Sequence, residues 1–297
     1  MAELVDAIDS KSIVPWDVSV RFGSEVPLIL ISMHHLPDLL KALTSGLIEG
    51  LTEFLPVSST AHLLLFSWLV DFNSIKNNLF EIVIQLGAIL AVVVIYRIKI
   101  SSMLLRFRNK NNFKLWINLF VAFLPAALLG LAFHGFIKRV LFSNIVIACA
   151  LIFGGIVMLL VDRKERTSST KNMDDITPFK AFLVGCFQSI AMIPGISRSG
   201  ATIIGAILLR FNRQVATEFS FFLSIPTIAA ATFFDLYKNY HSLSFSGLEL
   251  IIVGFLSAFI SAILVIKWFI GYVSKHNFIP FAIYRIALGI VILFFAL

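Results

Sequence analysis

Residues 49–62 read EGLTEFLPVSSTAH and set two carboxylates, a proline, a run of three hydroxyls and a histidine inside a chain that is otherwise mostly apolar. On a helix, Glu49 and Glu53 stand one turn apart on the same face. Pro56 stops that helix, and Ser58, Ser59 and Thr60 sit where a new one begins with its first N–H groups free. The polar patch divides the apolar region 37–70 into halves too short to cross a bilayer comfortably. The region therefore reads as a re-entrant helical hairpin.

Residues 179–209 repeat the device, broken at PGISRSG. Gly46, Glu49, Pro56 and Ser58 of the first region are echoed by Gly185, Gln188, Pro194 and Ser197, with a one-residue slip in two of the intervals. Each hairpin is followed by three apolar runs. That pattern is the signature of an inverted-topology repeat, in which discontinuous helices place a site near the bilayer midplane.

The surrounding composition supports a membrane setting. Of 297 residues, 59% are hydrophobic and 14% charged, and thirty are phenylalanine, with a mean hydropathy of +0.94. Soluble domains use roughly 45–50% apolar and roughly 25% charged residues. No long strict alternation marks a barrel strand. Full spans are expected near residues 80–96, 115–133, 143–161, 216–236, 248–267 and 281–297. The expected fold is an all-α polytopic membrane protein with six transmembrane helices plus two opposed re-entrant helical hairpins in an inverted-topology repeat. Residues 1–36 form an N-terminal extension of unknown role. Residues 37–297 form one membrane-embedded domain, with a first repeat of about 37–133, a second of about 143–267 and a final span at 281–297.

Lys and Arg concentrate in the segments 97–114 and 162–180, which places both in the cytoplasm. By counting, the loops 71–79 and 237–247 and both termini fall outside, so the two hairpins enter from opposite sides. The net charge of +7 follows this topology and calls for no nucleic-acid partner. Cys149 and Cys186 lie in apolar runs without metal-binding spacing. Residues 1–25 lack the apolar core of a cleavable signal.

The intramembrane charges carry the functional reading. A charged side chain at the bilayer centre costs about 2.5–3.5 kcal/mol on insertion scales, so Glu49, Glu53, His62 and Arg198 mark a site. The hydroxyls at 58–60 have two readings, helix N-capping and nucleophilic attack. The second needs a base, and His62, three residues from Ser59, supplies one. At the other break, Ser197, Arg198, Ser199 and Gly200 open a helix, where a bidentate guanidinium and free N–H groups suit phosphate. Ser58 and Thr60 complete the phosphate-binding set. Mg²⁺ or Ca²⁺ on Glu49 and Glu53 would reconcile the acidic half with an anionic substrate. Gln85 and Glu218 either orient these groups and line an access path or make helix–helix hydrogen bonds. His34, His35, His134, His241 and His276 fall near segment ends. The chemistry that fits is hydrolysis of a phosphorylated lipid, with a transporter or lipid flippase as the rival from another class.

EGLTEFLPVSSTAH, EIVIQLGAILAVVV, MIPGISRSGATI, EFSFFLSIPT and FIPFAIYR, in this order and spacing, resemble the bacterial undecaprenyl-diphosphate phosphatase family, whose members are linked to bacitracin resistance. The resemblance implies release of the terminal phosphate of undecaprenyl diphosphate, dependence on Mg²⁺ or Ca²⁺, and a site opening to the outer face of the bacterial cytoplasmic membrane. It places the acidic pair on Glu49 and Glu53, the nucleophile on Ser59, the catalytic histidine on His62 and the phosphate-binding arginine on Arg198. Attack by metal-bound water is the alternative to Ser59. The expected partners are a polyprenyl diphosphate and membrane lipids, with a homodimer left open. Ala61 stands where the family usually has Gly, and the chain begins further before the first hairpin.

Overall fold

The computed structural model describes residues 37–70, 72, 79–136, 143–163, 168–239 and 247–296. The N-terminal extension with His34 and His35, His241, the His134 side chain and most of the loops 71–79 and 237–247 lie outside the described residues. Among the described residues there are eleven α-helices, in chain order α1 (Asp38–Thr52), α2 (Ser59–Val70), α3 (Leu79–Ile95), α4 (Arg97–Leu105), α5 (Lys110–Phe136), α6 (Asn144–Asp162), α7 (Pro178–Ile190), α8 (Arg198–Leu208), α9 (Arg213–Asn239), α10 (Leu248–Val273) and α11 (Ile279–Ala296). Among the described residues there is no strand.

The helix starts follow local chemistry. The Ser143 hydroxyl accepts from Val146 N–H at 3.3 Å and opens α6. Thr177 does the same for Lys180 at 3.3 Å, with Pro178 in the first turn of α7 where its missing N–H costs nothing. The segment 97–114, read from sequence as a basic loop, is largely helical. At Tyr96 the chain bends by 75° into α4, and α5 begins at Lys110. Lys and Arg are good helix formers, so charge marks the side of the membrane without marking a loop.

Lys110–Phe133, Asn144–Asp162, Arg213–Tyr237 and Leu248–Val273 are long and apolar enough to cross a membrane, and the bent pair α3–α4 makes a fifth candidate. Helix α11 has 18 residues, about 27 Å of rise against about 30 Å of hydrocarbon. Outward-facing Leu131, Phe153, Leu160, Phe233 and Leu264 are each more than 60% exposed, a surface that lipid solvates and water does not. The chain is an all-helical, multi-pass membrane protein.

Packing between helices is reciprocal. α1 packs on α10 and α7 packs on α5, while α6 pairs with α11 and α3 contacts both α9 and α10. Glycine makes the two half-helix contacts close. A Cβ on Gly46 would fall 2.1 Å from the Gly254 carbonyl oxygen on α10, and one on Gly185 would fall 2.2 Å from the Ala122 carbonyl oxygen on α5. Between these pairs lies a core with fully buried Phe54, Phe219, Phe221, Phe222 and Phe269, where Phe54 and Phe221 meet edge to face at 5.2 Å. At the end of α6, the Asp162 carboxylate accepts from Arg213 Nε at 2.9 Å and from the Phe278 N–H, tying the starts of α9 and α11 to one group.

Candidate active site

Both helix breaks carry a serine in the left-handed region, Ser58 at φ 72° and Ser197 at φ 71°. Each serine precedes a half-helix, so the first residue of α2 is Ser59 and the first of α8 is Arg198. The breaks touch. The Ser199 hydroxyl, on the second, donates to the Leu55 carbonyl on the first at 2.7 Å. Two helix N-termini with their positive dipole ends thus converge on one place.

Glu53 is the hinge of the polar cluster. Its Oε2 accepts from the Ser59 hydroxyl at 2.7 Å, and its Oε1 accepts from Arg198 Nε at 3.3 Å and Nη2 at 3.2 Å. Both charged side chains are nearly buried, at 8% and 11% exposed, so the pair is desolvated and held by geometry as well as charge. Arg198 Nη1 donates to the Ser220 carbonyl at 3.1 Å, and the guanidinium lies 5.8 Å from the Phe54 ring centroid. A cavity of about 170 Å³ opens beside this cluster, lined by Glu53, Ser58, Ser59, Thr60, Gln85, Ala191, Pro194, Gly195, Ser197, Arg198 and Ile228. Seven of these eleven lining residues are polar or charged, a lining suited to a phosphate head group.

The remaining sequence-predicted residues fall into three groups. Glu49 is completely buried one turn before Glu53, and neither of its carboxylate oxygens has a hydrogen-bond partner. An orphaned buried carboxylate is costly and suits a cation, and Glu53 Oε2 keeps a second lone pair beside the one that accepts from Ser59. Among the described residues no three His, Cys, Asp or Glu side chains converge as a metal cage, so Glu49 and Glu53 would depend on substrate oxygens to complete a coordination shell.

Ser197, Ser199 and Gly200, expected to bind phosphate, also hold the second break together, and Ser197 lines the cavity. Ser197 Oγ accepts from Gly200 N–H at 3.1 Å and lies 3.1 Å from Ser199 Oγ. Gly200 is small for another reason: a Cβ there would sit 2.8 Å from Arg285 Nη1.

His62 is not brought to Ser59. Its Nδ1 lies 2.7 Å from the Ser58 carbonyl and its Nε2 lies 2.6 Å from the Tyr284 hydroxyl, so both ring nitrogens are engaged elsewhere. Spacing of three on a helix brings two residues to one surface without fixing which way the imidazole turns. Gln85 lines the cavity, while Glu218 does not and instead lies 3.8 Å from Lys99 near the start of α4.

Sequence reasoning missed Arg285. This arginine on α11 is 1% exposed, and its Nη2 donates to the Gly195 carbonyl at 3.0 Å and the Ala150 carbonyl at 3.4 Å, its Nη1 to the Pro56 carbonyl at 3.4 Å. It therefore bolts both breaks to α6. The signal was available, since an arginine in the apolar run IPFAIYRIALGIVILFFA meets the same rule that singled out Arg198.

These features describe a helical membrane protein with a polar pocket where two interrupted helices meet, lined by an arginine and by a hydroxyl beside a carboxylate. The model of the bacitracin resistance protein BacA family matches residues 42–291, and the chain belongs to that family. It is 52% identical over 260 residues to an undecaprenyl-diphosphatase of Methylobacillus flagellatus, covering 86% of this chain and 97% of that one. It is 47% identical over 251 residues to undecaprenyl-diphosphatase 2 of Paramagnetospirillum magneticum, covering 84% and 96%. It is also 50% identical over 256 residues to an undecaprenyl-diphosphatase of Dechloromonas aromatica, covering 86% and 93%.

Proposed function

We propose that this chain hydrolyses undecaprenyl diphosphate to undecaprenyl phosphate and inorganic phosphate in the bacterial cytoplasmic membrane. The reaction would return the lipid carrier to cell-wall glycan synthesis and confer bacitracin resistance. The observation that carries the reading is the Ser59–Glu53–Arg198 chain of hydrogen bonds at the junction of two helix N-termini. Transport needs an anion site but no hydroxyl aimed at a carboxylate, which disfavours the flippase alternative. The relatives' names and the polar lining of the cavity agree with a phosphate head group bound inside and a polyprenyl tail left in the bilayer.

In this reading, Arg198 and the N–H groups opening α2 and α8 bind the diphosphate. A divalent cation such as Mg²⁺ or Ca²⁺, held by Glu49 and Glu53, would supply charge neutralisation of the phosphate oxygens. Ser59 gives its proton to Glu53 Oε2 and attacks the terminal phosphorus in line. The bond from that phosphorus to the bridging oxygen breaks, and the lipid monophosphate leaves with the electron pair. Water then releases phosphate from the phosphoserine. Glu53 replaces His62 as the proton acceptor because the Ser59 hydroxyl points to it at 2.7 Å.

The same proposal includes the topology of six spans with two hairpins entering from opposite sides and a site open to the outer face. Its support is the matched serine conformation at the two breaks and the reciprocal packing of α1 on α10 and α7 on α5. The packing of α6 on α11 is what the last spans of two such repeats would show, and it supports a repeat boundary in the basic segment after Asp162 over one near residue 133.

The test is phosphate release from undecaprenyl diphosphate by detergent-purified protein, with and without EDTA, beside Glu53→Gln and Arg198→Ala. Metal-dependent release that both substitutions abolish is the expected result. Absence of release from folded protein with excess Mg²⁺ or Ca²⁺ would refute the enzyme reading.

A further inference from the structure

Half-buried His62 follows Ala61 on α2, and Ala61 packs on Ile147, Ala148 and Leu151 of α6 and Ile292 of α11. The His62 ring stacks on Tyr284 with centroids 5.5 Å apart and planes inclined by 10°, besides the 2.6 Å contact between Nε2 and the Tyr284 hydroxyl. The other nitrogen, Nδ1, faces the Ser58 carbonyl at 2.7 Å. A carbonyl can only accept, so Nδ1 carries the hydrogen. In the neutral ring, Nε2 must then accept from the tyrosine hydroxyl.

The acceptor at the far end of this relay is an unusual one. Ser58 stands at φ 72°, a conformation that L residues other than Asn, Asp and Gly rarely adopt and that persists where the surroundings enforce it. Its carbonyl belongs to the peptide that leads into Ser59, so turning that peptide re-aims the Ser59 hydroxyl and the first N–H groups of α2. At the second break, the carbonyl of Ser197 accepts from the Ala201 backbone N–H at 2.9 Å, and the Ser197 hydroxyl takes Gly200 N–H. Only the first break recruits a side-chain ring, and only the first presents the hydroxyl that reacts.

We infer that Tyr284 is a positioning residue for the Ser59 reaction: its hydroxyl sets the His62 tautomer and ring plane, and His62 in turn pins the Ser58 turn that aims Ser59. The inference rests on Ser59 being the reacting group of the phosphatase.

The experiment compares wild type, Tyr284→Phe, His62→Asn and the double variant by kcat and KM for undecaprenyl diphosphate, together with ¹⁵N spectra of the His62 ring in detergent. Phenylalanine keeps the stack and removes only the hydroxyl, and the asparagine amide N–H can replace Nδ1–H toward the Ser58 carbonyl. Tyr284→Phe is expected to lower kcat about tenfold with KM unchanged, and to add nothing in the His62→Asn background. The ring should show Nδ1–H alone in wild type and a tautomer mixture in Tyr284→Phe. Wild-type kcat in Tyr284→Phe, equal losses in both backgrounds, or an Nε2–H ring in wild type would each overturn the inference. If Tyr284→Phe does not fold, the wild-type tautomer decides. Absence of phosphate release from wild type would refute the activity itself, while the spectra would still report on the relay.

Discussion

The two helix breaks share a backbone and divide the chemistry. Ser58 and Ser197 have nearly the same positive φ, each follows a proline, and each opens a half-helix toward the other. The next residue differs. At the first break it is Ser59, hydrogen-bonded to a carboxylate of its own loop, and at the second it is Arg198, which reaches across to that same carboxylate. Two similar turns thus bring two helix N-termini together, and the asymmetry between them comes from single side chains placed on them. The half-helices before the breaks differ in the same way: Glu49 is buried with two orphaned oxygens, and its sequence echo Gln188 is buried with an unpartnered Nε2.

The comparison breaks most visibly at the first residues of the half-helices. Ser59→Ala and Arg198→Ala should each lower kcat by at least about a hundredfold, the order lost when one preorganised transition-state group is removed. Ser199→Ala, one position beyond Arg198, removes a tie between the breaks and should cost about 1 kcal/mol of stability with activity within about tenfold. Steady-state phosphate release and thermal midpoints in detergent separate the two outcomes, and loss of activity in Ser199→Ala matching that of Arg198→Ala would restore Ser199 as a substrate ligand.

Arg285 tests whether the breaks are held as a unit. Arg285→Met strands the carbonyls of Pro56 and Gly195 in the interior, at about 1–3 kcal/mol for each that finds no new donor, while the Ala150 carbonyl keeps its bond within α6. The expected readout is a midpoint lowered by several degrees, with Arg285→Lys intermediate. A smaller effect is expected from the paired substitutions Gly46→Ala and Gly185→Ala, each forcing a Cβ against a carbonyl oxygen of the neighbouring helix and costing about 1–3 kcal/mol. Similar losses from both would sharpen the equivalence of the two half-helices, and a loss from only one would break it.

The smallest effect lies in the segment just before α7. There the N–H groups of Asn172 and Lys171, at 2.9 and 3.1 Å, hold the Asp175 carboxyl below its usual range. A lowered folded-state value contributes stability that is present above the unfolded value and lost as pH falls through the folded one. Asp175→Asn should therefore flatten the acid limb of a midpoint-against-pH curve slightly and leave activity near neutral pH unchanged. The first break has no counterpart segment among the described residues, so the effect should be confined to the second hairpin.

The sequence alone determined that the chain is helical and membrane-bound, because apolar runs of helical length between basic clusters admit no other solution for backbone in lipid. It also determined where the breaks lie and which residues carry charge into the membrane, since proline ends a helix and buried charge is too costly to be incidental. Only the tertiary structure decided who meets whom. Ser59 turned to Glu53 and His62 to Tyr284, because helical spacing limits neighbours to a surface while side-chain rotamers and the helix packed against that surface select among them. Arg285 became central for the same reason. It is far in sequence from both breaks, and only the packing of α11 against α6 carries its guanidinium to the carbonyls of each.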